Sequence, residues 1–184
     1  AAPPSLVVEG ASFTFAWGSG DERVDQHVAI NSCGGSLVLV ARVQSGVRPV
    51  SGDRTIAAAA LDSATLHNPW YAQGSDSQKD ATTFVVSRQV FAAMKAGKSS
   101  DFAIAGRYAN TEDAADGKPR PITWQGLIEP VGAGTAKVRI NNRDETINIL
   151  RCKAGEREIA ILDDARWPVG MADKLTEVDT GIRG

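Results

Sequence analysis

The chain has 184 residues, 42% of them hydrophobic, with 20 Lys and Arg against 22 Asp and Glu for a net charge of -2. That is enough apolar material for one sizeable core, and the basic residues are dispersed, so no stripe tracks phosphates and nucleic acid is not an expected partner. No apolar run approaches the roughly 18–20 residues of a membrane helix, so membrane insertion is not expected either.

The chain opens Ala1-Ala2-Pro3-Pro4. Small residues without an initiator methionine predict a mature protein released by signal-peptidase cleavage, hence an exported domain: periplasmic, cell-surface or extracellular. Phe13, Phe15 and Trp17 then alternate with Ser12, Thr14 and Ala16, the period-two signature of a half-buried strand. A turn at Gly18-Ser19-Gly20-Asp21 leads to a second strand, with Val24, Gln26, Val28 and Ile30 on one face and Arg23, Asp25 and His27 on the other. Residues 31–35 read as a Gly-rich turn, and 36–44, apolar on both faces, as a central strand. Residues 46–53 read as a loop, and the alanine run in 55–61 as a strand covered on both sides or a short helix, the strand being favoured. Asn68-Pro69 signals a turn, and 72–82 is polar and irregular.

Residues 84–86 read as a short strand leading into one amphipathic helix over about 87–97, with Ser87 as N-cap, Val90, Phe91 and Met94 at helical spacing, and Gly97 as the stop. A polar excursion over 108–121 follows the apolar stretch 102–104. Strands are then predicted at 122–128, 137–140, 146–151, 158–162 and 175–182, with hairpins at Asn141-Asn142-Arg143-Asp144 and at Ala154-Gly155-Glu156. The fold expected is mainly β, an antiparallel β-sandwich or barrel-like sheet with one short helix. It forms one domain over 1–184, with an N-terminal half (1–106) and a C-terminal β-meander half (121–184) joined by the polar loop.

Candidate chemistry is sparse. Cys33 and Cys152 could close one disulfide across a long loop, worth about 4–5 kcal/mol in the chain-entropy model, or stand as two separate thiols; neither sits in a CxxC. Glu112, Asp113 and Asp116 gather beside Gly117 as candidate calcium ligands. Aligned on an EF-hand with Asp116-Gly117 at loop positions five and six, however, Ala114 and Thr123 fall where oxygen ligands are needed. An irregular site completed by backbone carbonyls is the form of calcium binding left. Asp179-Thr180-Gly181 matches the aspartic-protease tripeptide over three residues, with no room after it for the structure that chemistry needs. Only two histidines occur, so a multi-histidine metal centre is not expected. A hydrolase predicts a pocket where Asp25, His27 and Cys33, or the acidic loop, converge. Trp70, Tyr71 and Trp167 fall in loops beside prolines, where rings stack on sugars or anchor a protein partner. The leading expectation is a non-enzymatic interaction or structural subunit, binding a protein partner or itself; a carbohydrate-binding module and a hydrolase are the alternatives.

Overall fold

The computed structural model describes residues 4–17, 21, 23–44, 50–71, 74–107, 120–172 and 174–181. It is mostly β, folded as a nearly closed, barrel-like sheet. The strands are β1 (Ser12–Trp17), β2 (Val24–Cys33), β3 (Leu37–Gln44), β4 (Val50–Ile56), β5 (Leu66–His67), β6 (Gly74–Gln78), β7 (Ala81–Thr82), β8 (Ser100–Ala105), β9 (Ile122–Ile140), β10 (Arg143–Ala154), β11 (Arg157–Leu162), β12 (Gly170–Met171) and β13 (Lys174–Asp179). Two helices, α1 (Ala58–Ser63) and α2 (Arg88–Lys95), complete the described elements.

The sheet runs β12-β11-β10-β9-β13-β1-β2-β3-β4-β6, with β8 branching from β9 and carrying β5 and β7. Most pairings are antiparallel; β13–β9, β4–β6, β5–β7 and β5–β8 are parallel. Strand β13 lies between β9 and β1, so the two halves of the sequence share one sheet.

Alternation decides which side chains enter the core. Phe13 and Phe15 of β1, Val28 and Ile30 of β2, and Leu37 and Leu39 of β3 are all buried in one cluster with Ile56, Phe84 and Trp167. A fully buried side chain of this size contributes about 1.5–3 kcal/mol. A second cluster packs Val90, Phe91 and Met94 of α2 against Phe102, Ile128, Leu150, Cys152, Ile159 and Ile161. The helix has the ends its sequence predicts. The Ser87 hydroxyl accepts from the Val90 amide at 3.3 Å. Gly97, at φ 73°, closes a Schellman motif in which the amides of Gly97 and Lys98 donate to the carbonyls of Met94 and Ala93. Asn141 and Asn142, at φ 49° and 66°, make the two-residue hairpin turn, as their tolerance of positive φ predicts.

Several expectations are corrected. The alanine run is helix α1, preceded by a β4 that begins at Val50 inside the expected loop; alanine is the best helix former, and no β-branched side chain in 57–63 opposes it. Strand β2 runs on through the expected turn to Cys33. The polar stretch 72–82 contains β6 and β7, and β6 is held by parallel pairing with β4. Residues 122–128 and 137–140 belong to one continuous strand, because β8 pairs with β9 over Ile122–Ile128 and β10 over Ile128–Ile140, with a register shift opposite Arg151/Cys152 that skips Val131 beside Pro130. Residues 84–86 do not form a strand: Val85 makes an isolated bridge to Val169, and Phe84 has φ 70°.

Candidate functional site

The aromatic candidates separate. Trp167 is fully buried, with the Arg88 guanidinium 5.3 Å from its ring, so the sheet and α2 use it as core. Tyr71 packs against the main core with Arg54 at 5.1 Å over its ring. Trp70 alone is exposed, at 41%. Its indole NH donates to the Ala105 carbonyl at 3.0 Å and Arg107 lies 5.2 Å from its ring. A shared stacking platform of Trp70, Tyr71 and Trp167 therefore does not form.

The other candidates are equally dispersed. Cys33 and Cys152 are both free thiols; β9, β13 and β1 intervene between their strands, so the expected bridge is corrected to two separate thiols. Burial pushes the Cys152 thiol up to about 11. Half-buried Cys33 is expected to react with a maleimide in the folded protein and Cys152 only after unfolding, with no change of mobility on reduction; equal labelling of both in the native state would contradict this. His27 bonds Thr14 at 3.0 Å and Asp25 pairs with Arg23. Cys33 lies six residues further along β2, roughly 20 Å at strand rise, so the three hydrolase candidates do not converge. Glu112, Asp113 and Asp116 lie outside the described residues. Asp179 accepts from the Gly181 amide at 2.9 Å, and Thr180 is tied to Asn141; the tripeptide is a turn that ends β13.

Groups that carry no sequence signature come together instead around a cavity of about 70 Å³. Phe15, Phe84, Phe102 and Ile159 supply apolar walls, and Gln26, His67, Tyr71 and Arg157 supply the polar ones. The His67 ring stacks on Phe102 at 6.1 Å and its Nδ1 lies 3.2 Å from the Thr82 hydroxyl. Burial, with a smaller contribution from Arg54, lowers its pKa to about 4, so it is neutral at pH 7. Burial raises the Tyr71 phenol well above its usual range, opposed by Arg54 and by a hydrogen bond with Gln26, so it stays protonated.

A histidine whose folded pKa is depressed stabilises the fold fully above its unfolded value near 6.5 and loses that contribution as pH falls toward 4. His67→Gln is expected to remove about 2–3 kcal/mol of the pH dependence of stability across that window, measured as the difference between wild-type and variant urea midpoints at each pH. Parallel pH profiles would contradict it.

Behind Tyr71 lies a buried cation. Arg54 is 2% exposed. Its Nη2 pairs with Asp76 at 3.0 Å and its Nη1 donates to the Thr83 hydroxyl at 2.8 Å. Arg54 and Asp76 are register partners on β4 and β6, which is why two distant-looking polar residues meet. Thr83 in turn opens the bend that places Phe84: the Val85 amide donates to the Thr83 carbonyl at 2.7 Å around Phe84 at φ 70°. This is a γ-turn of the strained, positive-φ kind. The Phe84 ring meets Phe13 edge-on at 4.9 Å and Phe15 at 6.1 Å. The cavity thus combines neutral polar groups and a strained ring, with an ion-paired cation behind it.

The surface offers a second feature. Ile122, Leu127 and Val131, exposed at 50%, 52% and 47%, all lie on β9. Ile122 pairs with Ala105, whose carbonyl receives the Trp70 indole, so Trp70, the fourth exposed large apolar side chain among the described residues, sits at the Ile122 end of the strand. Comparison with protein-family models, curated proteins and solved structures finds no match for this chain, and the geometry is therefore what a functional reading rests on.

Proposed function

We propose that this chain is a non-enzymatic β domain that acts by contact, as an interaction or structural subunit of an extracellular or envelope assembly. The observation that carries the reading is that three of the four exposed large apolar side chains among the described residues lie along β9, with Trp70 at its Ile122 end. Single exposed apolar residues are ordinary, whereas several gathered on one element mark a contact surface. The terminal strands of the sheet point the same way. Strand β12 is two residues long and β6 is short and polar, so neither edge invites pairing with another chain, and the face of β9 is the better surface for association.

The occupant in this reading is a second copy of the chain or a protein with an apolar face. Light scattering on the eluting peak of a sizing column tests it. A homogeneous species heavier than the 19.4 kDa monomer, reduced to monomer by Leu127→Asp/Val131→Asp, supports it. A wild-type monomer at about 0.1 mM, a concentration at which interfaces of micromolar affinity are filled, rules out self-assembly. It then leaves the glycan-binding alternative, for which exposed Trp70 is the remaining ring. That alternative predicts a shift of tryptophan fluorescence with oligosaccharide that Trp70→Ala abolishes.

A further inference from the structure

The cavity beside His67 and Tyr71 is separate from the β9 surface, and three independent observations bear on what would occupy it. Its size comes first: about 70 Å³, roughly half that of an engineered apolar cavity that takes benzene. This is room for about three carbons, the branched end of a short alkyl chain. Its walls come second: Phe15, Phe84 and Phe102 close around that volume, and the fold holds Phe84 there in a backbone conformation that bulky side chains rarely adopt. Strain of this kind concentrates at ligand clamps. Its electrostatics come third. Among the described lining residues Arg157 is the charged side chain and none is a carboxylate, and the Arg54 guanidinium, paired with Asp76, lies behind the Tyr71 ring. Arg157 brings positive charge to the lining, and Gln26, His67 and Tyr71 make the rest of its polar wall.

We propose that this cavity binds a small monocarboxylate with a short branched alkyl tail, the tail seated among Phe15, Phe84 and Phe102 and the carboxylate at the polar wall beside Arg157. A neutral isostere fills the same volume but forgoes the charge-assisted hydrogen bond, and a cationic one meets the like charge of Arg157. The proposal stands apart from the contact reading of β9 and neither requires nor excludes it.

The test is an amide NMR titration with isovalerate, isoamyl alcohol and isoamylamine in turn. Isovalerate is expected to shift the amides of Val86, Phe102 and Gly170, which line the cavity, and to bind about tenfold more tightly than the alcohol, the worth of one charge-assisted hydrogen bond. The amine is expected not to bind. Arg157→Gln, at an exposed position that leaves the core untouched, should bring isovalerate down to the affinity of the alcohol. Ile159→Phe, which fills the cavity, should abolish both. Absence of binding by all three probes, equal affinity for acid and alcohol, a preference that survives Arg157→Gln, or shifts confined to another surface would each overturn the proposal.

Discussion

Replacing Phe84 by alanine is expected to cost about 3–5 kcal/mol, and replacing it by glycine about 1 kcal/mol less. The first number follows from burial: the ring is 5% exposed and packs edge-on against Phe13 and Phe15, so truncation leaves a void that the surrounding strands cannot refill. The order of the two variants follows from the backbone. At φ 70° an L side chain crowds its own carbonyl, whereas glycine adopts this region freely. In an ordinary helix or strand glycine is the less stable of the pair by about 0.5–1 kcal/mol, so the inversion reports the strained turn specifically. Urea denaturation of the three proteins measures it; an alanine variant more stable than the glycine variant would show that the turn relaxes once the ring is gone.

The second large effect is expected at the Arg54–Asp76 pair. Asp76→Ala should destabilise by about 2–4 kcal/mol, because it leaves a buried guanidinium without its counter-charge; the lower end reflects the partial exposure of Asp76, whose side chain is 33% accessible. Arg54→Met should cost less, since it removes the buried charge along with the bond and leaves Asp76 able to reach water and the Gln78 amide at 2.7 Å. The double variant should be more stable than Asp76→Ala alone. A double-mutant cycle from urea midpoints tests the ordering, and equal costs for the two single variants would refute it. Arg54 also grips Thr83, so its loss is expected to loosen the Phe84 turn and weaken isovalerate binding. That couples the sheet interior to the cavity without any contact between Arg54 and the ligand.

Much of the architecture was legible without coordinates because it rests on local rules. Alternation placed β1, β2 and β3, with Phe13, Phe15, Val28 and Ile30 directed inward. Ser87 and Gly97 bracketed α2, and the two asparagines marked the β9–β10 hairpin. Each signal depends on neighbours a few residues away, which is the range over which strand period, capping and turn chemistry act. The same locality explains the misreadings. β6 looks like a loop because its polar residues have no periodicity of their own and acquire a ladder only from β4. Trp167 looked like a loop ring available for binding, yet the chain around it folds back under Arg88.

The candidate site belongs almost wholly to tertiary structure. His67, Tyr71, Phe84 and Arg54 have no spacing that sets them apart in sequence; parallel pairing of β4 with β6 and of β5 with β7 and β8 assembles them. By itself the sequence determined a mainly β chain, the ends of α2, the β9–β10 turn and the apolar faces of its first strands, because those properties are carried by neighbouring residues. Only the closed sheet decided which polar groups lost their water, since burial, and with it the neutrality of His67 and the need of Arg54 for Asp76, is imposed by strands distant in the chain.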